Sequence, residues 1–136
     1  MATPEISDVV TQGIRVAAGA IFAPAESEPD DRRYVFDYNI LIANNSDAPV
    51  QLLSRRWIII DAVGRREEVE GPGVVGQTPR IEPGQAFKYQ SHCPLKTSWG
   101  TMEGSYTMRR DNGETFEVQI GRFYLRVPKG EPVGAK

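Results

Sequence analysis

The sequence contains one cysteine, one histidine and no apolar run long enough to cross a membrane. Because Cys93 has no second cysteine to pair with, no disulfide can form within the chain, and a reducing compartment, the cytoplasm, is the expected location. Because His92 is alone, no metal site can draw two histidines from one chain. The longest apolar stretch, residues 16–25, is too short for a bilayer. The acidic Glu5 and Asp8 before it are unlike the start of a secretion signal.

The chain also lacks an excess of charge of either sign. Its formal net charge is -2, with a pI near 5.5, so no general attraction to nucleic acid or to an anionic membrane is expected. Many of its sixteen Lys and Arg residues are paired arginines, and acidic neighbours accompany most of these pairs. A length of 136 residues with 40% hydrophobic residues predicts one globular domain.

Groups that usually carry catalysis are missing as well. His92 and Cys93 are neighbours in an extended segment, so their side chains should point to opposite sides of a sheet and cannot form a nucleophile–base pair. Carboxylates at 26–31 and 67–70 could offer oxygen ligands to a divalent cation, but they lack the spacing of a metal loop. We therefore predict no catalytic residue, no metal site, no cofactor and no enzymatic activity.

Short apolar segments separated by turn residues make up most of the chain. Thirteen glycines and ten prolines punctuate these segments, and residues 34–43 alternate between the two faces of a predicted strand. Asp111-Asn112-Gly113 is typical of a hairpin turn. The pattern predicts an all-β sandwich of about seven to nine strands over residues 13–128, with flexible termini at 1–12 and 129–136.

The segment from residue 71 to residue 76 matches the spacing GxGxxG of a phosphate-binding loop. Prolines follow where such a loop needs a helix, and Pro72 has no amide to donate, so we expect the glycines to serve a tight turn. The alternative is a nest of amides that binds pyrophosphate-containing nucleotides, or their divalent-metal complexes. The candidate ligand-binding residues are Gly71, Gly73, Gly76, Arg65, Arg66 and Arg80.

Several motifs in a fixed order resemble the bacterial ApaG family. They are Arg33-Tyr34-Val35-Phe36, Pro49-Val50-Gln51-Leu52-Leu53, Gly64-Arg65, Gly71-Pro72-Gly73-Val74-Val75-Gly76, Ile81-Glu82-Pro83-Gly84, Pro94-Leu95, Gly100-Thr101-Met102 and, further on, Gly104, Tyr106 and Met108. The resemblance covers roughly residues 13–128 and implies a sandwich like that of immunoglobulin or fibronectin type III domains. It also implies an association with cobalt and magnesium tolerance, but no agreed catalytic residues.

Domains similar to ApaG also occur within larger eukaryotic proteins, where the resemblance implies protein recognition. The leading hypothesis is therefore a non-enzymatic protein-interaction module with a protein partner of unknown identity, and a homodimer through an edge strand is possible. Trp99, within a segment rich in turn residues, is the candidate partner-binding residue. The alternatives are the nucleotide binder above and a hydrolase, for which no residue set is visible.

Overall fold

A computed structural model describes residues 6–128, which form nine β-strands and two short 3-10 turns. The strands are β1 (Ser7–Thr11), β2 (Ile14–Phe22), β3 (Tyr34–Asn44), β4 (Val50–Asp61), β5 (Arg66–Pro72), β6 (Arg80–Ile81), β7 (Ala86–Leu95), β8 (Trp99–Arg110) and β9 (Thr115–Arg126). The 3-10 turns, Pro24–Glu26 and Pro29–Asp31, lie between β2 and β3.

Two antiparallel sheets pack face to face. One sheet has the strand order β1-β2-β3-β7, and the other has the order β5-β4-β8-β9 with β6 paired to β4. The all-β sandwich predicted from strand periodicity is confirmed, as is the hairpin that joins β8 to β9, and a second hairpin joins β4 to β5. No helix among the described residues has the length and apolarity of a membrane span.

The core consists of the inward side chains of both sheets. On β3, Phe36, Ile40 and Ile42 are buried while Asn39 between them is exposed, which is the alternation that the sequence predicts. At the centre, the rings of Tyr38 and Trp57 meet edge to face with centroids 5.4 Å apart. The apolar stretch considered above as a weak match to a secretion signal belongs mostly to β2.

Part of the N-terminal segment predicted to be flexible, residues 1–12, forms a strand. Residues 7–11 form β1, which pairs with β2 and lies along β9. Its side chains anchor it to β9, because the Ser7 hydroxyl donates to the Gly121 carbonyl and the Thr11 hydroxyl accepts from the Gln119 amide. Residues 1–5 and 129–136, the rest of the predicted flexible termini, lie outside the described residues.

A β-bulge in β4 changes which residues face the core. The register with β8 shifts between Leu52 and Ser54, so Leu53 is an extra residue in β4. Before the bulge the buried position is Leu52, and after it the buried position is Trp57. Because side chains alternate along a strand, Arg55 shares the inward face with Trp57.

The sandwich is closed along one side and open along the other. On the closed side, β9 packs against β1 and β2. On the open side, the edge strands β5 and β7 border a cleft that reaches between the sheets.

Candidate functional site

The inter-sheet cleft has a volume of about 380 Å³. Its floor and walls combine aromatic and apolar side chains with polar surface in about equal share, and its mouth lies at the turn after β5. The principal lining residues are Tyr38, Arg55, Trp57, Val69, Val75 and Tyr89. Small-molecule sites in proteins start at about this size and are mostly apolar with a few placed polar groups.

Arg55 is the charged residue that the β4 bulge turns into the cleft. Its Nη1 atom donates to the carbonyls of Pro72 and Gly73, each at 2.9 Å, which fixes the guanidinium beside the turn. Gly71 is its cross-strand neighbour, and a Cβ at Gly71 would lie 3.0 Å from Nη2. Among the described residues Arg55 forms no ion pair, so a half-buried positive charge faces the cleft with no carboxylate at ion-pair distance.

The glycine-rich segment forms a tight turn rather than an open phosphate cradle. The Gly73 amide donates to Leu53, and the amides of Val74 and Gln77 donate to each other's carbonyls. Gly73 has a φ of 61°, and a Cβ there would lie 2.3 Å from the Gln77 carbonyl oxygen, so only glycine fits. Two amides in the turn, those of Val75 and Gly76, donate no hydrogen bond within the described part of the chain.

The arginines predicted to assist the glycines are held elsewhere. Arg65 pairs with Asp61, Arg66 with Glu68, and Arg80 with Glu82 and Asp111.

Arg65 and Arg66 are also remote from the glycine-rich turn. Arg66 begins β5 and Gly71 comes five residues later, which is about 17 Å of extended strand at about 3.3 Å per residue. The structure thus brings Gly71, Gly73 and Gly76 together with Arg55, a residue the sequence reasoning did not select. Proximity in sequence does not point to Arg55, because it reaches the turn from the neighbouring strand and faces inward only after a bulge.

Tyrosine hydroxyls and an indole add polarity in and behind the cleft wall, besides the lining residues Glu67, Ser91 and His92. The hydroxyls of Tyr89 and Tyr106 lie 2.6 Å apart. Burial raises the pKa of both phenols, so both remain neutral at physiological pH. The indole Nε1 of Trp57 is buried and has no hydrogen-bond partner among the described residues. An unpaired buried donor is uncommon and calls for an explanation.

His92 and Cys93 face opposite sides of β7, as predicted. His92 is exposed on the outer face, opposite Asp37, whereas Cys93 is buried in the core. Burial raises the pKa of the Cys93 thiol to about 12, so almost no thiolate exists near neutral pH. No cluster of three metal-ligating side chains occurs within residues 6–128.

We expect Cys93 to resist alkylation in the folded protein. Iodoacetamide reacts with the thiolate, and burial here limits both the thiolate fraction and access. At pH 8 the labelling rate, followed by mass spectrometry, should be at least about 100-fold lower in buffer than in denaturing urea. Equal rates in the two solvents would contradict the burial of this thiol.

A second concavity, the outer groove, lies on the solvent face of the four-stranded sheet and has a volume of about 610 Å³. Two cross-strand rows form its floor, Ala17–Leu41–Lys88 and Gly19–Asn39–Gln90. The depression results from the small residues of β2. Ile6 and Ile21, 63% and 67% exposed, stand at its apolar end.

Trp99 is not in either concavity. It is the first residue of β8, paired with Arg126 on the five-stranded sheet, rather than a loop residue. Its side chain is 44% exposed. The structure therefore places the predicted partner-binding residue on the sheet opposite the outer groove.

Comparison with known proteins gives one consistent family. A family model described as the ApaG domain matches residues 24–110. Protein ApaG from Anaeromyxobacter dehalogenans strain 2CP-1 is 52% identical over 123 residues, which is 90% of this chain and 97% of that protein. Protein ApaG from Bdellovibrio bacteriovorus is 48% identical over 114 residues, 84% of this chain and 90% of that protein. Neither name states an enzymatic activity.

Solved structures agree with the sequence relatives. The crystal structure of an ApaA protein from Bordetella pertussis superimposes with a TM-score of 0.82 at 43% identity, covering 90% of this chain and 96% of that one. The C-terminal domain of Wzt superimposes with a TM-score of 0.54 at 11% identity, covering 95% of this chain and 81% of that one. This second likeness concerns the fold alone.

Proposed function

The chain belongs to the ApaG domain family, and we propose that it acts as a non-enzymatic protein-interaction module that docks a partner in the outer groove. The observation that carries the proposal is the solvent-facing apolar part of that groove's floor, where Ala17 and Leu41 are half-buried. An apolar depression rimmed by polar residues is a common form of protein interaction site. Asn39, Lys88 and Gln90 give it the polar margin that interfaces usually have.

The chemistry of the groove indicates what the partner presents. A shallow, largely apolar depression fits one or two apolar side chains from an extended segment of another protein. Lys88 forms no ion pair within the described residues, so an acidic residue beside those side chains would complement its charge. The partner is thus proposed to be a different protein with an acidic, apolar segment.

The same proposal accommodates the role in cobalt and magnesium tolerance that the family resemblance implies. On the β4–β5 hairpin, Glu68 pairs with Arg56 and Arg66, and Glu70 pairs with Arg56, so these carboxylates are engaged. We propose that the partner rather than this chain carries the metal-dependent step. The buried, unreactive Cys93 suits the cytoplasm as the place of the encounter.

Position-specific photocrosslinking tests the outer groove. With benzoylphenylalanine in place of Asn39, we expect one discrete crosslinked adduct in cells. Leu41→Glu should reduce the yield of that adduct at least about tenfold, because partner binding would have to desolvate the new carboxylate. Thr101→Glu, at a half-buried outward position of the other sheet, is the matched control. The crosslinker at Gln119, exposed on that other sheet, should give no such adduct.

Three results would contradict the proposal. Adduct yield unaffected by Leu41→Glu would remove the groove from the interface. An adduct of twice the 15.1 kDa chain mass would show a second copy instead of a partner. Loss of the adduct on Trp99→Ala, with Leu41→Glu harmless, would move the interface to the end of β8.

A further inference from the structure

We propose that the inter-sheet cleft is a binding site for a small organic anion that carries an aromatic ring, with Arg55 as its anchor. The cleft faces the sandwich interior, whereas the outer groove faces solvent on one sheet, so this inference is independent of the partner proposed above. It rests on an unpaired cation, an unpaired buried donor and an aromatic wall.

The unpaired cation of the cleft is the Arg55 guanidinium. A charge turned toward a protein interior is costly unless an opposite charge meets it. Arg55 is half-buried, forms no ion pair among residues 6–128, and is held by the carbonyls of Pro72 and Gly73 through Nη1 only. The rest of the planar guanidinium can therefore receive a carboxylate or a phosphate oxygen.

Three further donors in the lining residues also favour an anion. Trp57 has a buried indole N–H that lacks an acceptor, and Val75 and Gly76 have two backbone amides at the mouth that donate no bond within the described chain. These groups can only donate. Glu67 is the acidic residue of the lining, and it is exposed on β5.

The aromatic walls of the inter-sheet cleft indicate the shape of the ligand. Tyr38, Trp57 and Tyr89 line the cleft, and aromatic faces favour a flat ring over a flexible chain. A cleft of about 380 Å³ holds one or two rings but not a dinucleoside polyphosphate. The ligand class is therefore an aromatic carboxylate or an aromatic phosphate ester, which share an anionic oxygen on a flat body.

An NMR titration distinguishes an aromatic carboxylate from an aromatic phosphate ester as the ligand. Benzoate and phenyl phosphate are the probes, benzamide is the neutral analogue of benzoate, and inorganic pyrophosphate is the anion without a ring. The indole N–H resonances of Trp57 and Trp99 serve as site and internal reference, and they are assigned with Trp99→Phe. We expect at least one aromatic anion to shift the Trp57 resonance saturably below about 10 mM, the range for fragments of this size, with Trp99 unmoved.

Two variants test the anchor. Arg55→Gln should weaken binding at least about tenfold, because a charge-assisted contact becomes neutral. Val75→Asp places a negative charge at the mouth, in a backbone conformation with φ 42° that aspartate tolerates, and should weaken binding about tenfold as well. Val63 is 73% exposed at the opposite end of the β4–β5 hairpin. Val63→Asp is therefore the matched control and should leave the binding affinity unchanged. Thermal melting confirms that each variant folds.

Several outcomes would overturn the inference. No saturable shift with either aromatic anion would remove the site. Benzamide binding as tightly as benzoate would show a merely apolar cavity, and full affinity in a folded Arg55→Gln variant would exclude the anchor. Inorganic pyrophosphate binding more tightly than phenyl phosphate would exclude the aromatic walls and favour the glycine turn.

Discussion

Replacing Gly104 with alanine is expected to lower the free energy of unfolding by about 3 kcal/mol, among the largest effects of a single methyl group in this protein. Gly104 lies on β8 opposite Trp57 of β4. A Cβ there would lie 2.0 Å from the carbonyl oxygen of Arg56 and 3.0 Å from its carbonyl carbon. These are backbone atoms of a paired strand, so β4 and β8 must separate to admit the methyl group.

The consequence extends to the inter-sheet cleft, because β4 also carries Arg55 and Trp57. The melting temperature should fall by roughly 10 °C, as measured by circular dichroism. Gly19→Ala is the matched control in β2, since the added methyl group would meet only the side chain of Ile6, which lies at the surface. A loss of stability as large in Gly19→Ala would show that the strand separation argued for Gly104 is not the cause.

Strand periodicity predicted the fold well because most strands bury one face and expose the other. β3 follows the alternation, and so does β7, where Tyr89 and Cys93 face inward and His92 outward. The two bulges escaped prediction. In β9, Gly121 and Arg122 together oppose Glu103, so that the buried positions change parity there. A bulge is a defect in pairing between two strands, and one strand's sequence does not show it.

The candidate sites were predictable only in part for the same reason. Proximity in sequence suggested Arg65 and Arg66 as partners of the glycines, but extended strands separate sequence neighbours by about 3.3 Å per residue. Arg55 reaches the turn through cross-strand pairing with Gly71. The outer groove likewise depends on three paired strands, and none of its rows is contiguous in the chain.

Both concavities follow from small residues at pairing positions. Gly71 leaves room for the Arg55 guanidinium, and Ala17 and Gly19 keep the outer groove shallow and open. Larger side chains at these positions would add packing contacts and stability. Their absence instead leaves the inter-sheet cleft and the outer groove accessible from solvent. The small ligand proposed for the inter-sheet cleft and the protein segment proposed for the outer groove can therefore be tested separately.

Replacing Asn44 with alanine is expected to lower the free energy of unfolding by about 3 kcal/mol, because buried backbone groups lose their partners. Asn44 is fully buried at the end of β3. Its Nδ2 donates to the carbonyls of Ala48 and Ile81, both at 2.9 Å, and its Oδ1 accepts from the amide and hydroxyl of Ser46. One side chain thus joins the β3–β4 turn to β6.

Aspartate at position 44 gives the sharper test of this network. Asn44→Asp keeps the size of the side chain, but it places a carboxylate oxygen against two carbonyl oxygens, so burial and repulsion should raise the pKa of the new carboxyl in the folded state. A raised folded-state pKa means that the variant is relatively more stable below the unfolded pKa of about 3.9, and loses that advantage as the pH rises through the folded value. Urea unfolding at several pH values measures this dependence.

Asn45 provides the control for Asn44→Ala, because its side chain is exposed and its backbone amide donates to Gly13. Asn45→Ala should change the free energy of unfolding by no more than about 0.5 kcal/mol. A loss comparable to that of Asn44→Ala would contradict the role of the buried side-chain amide.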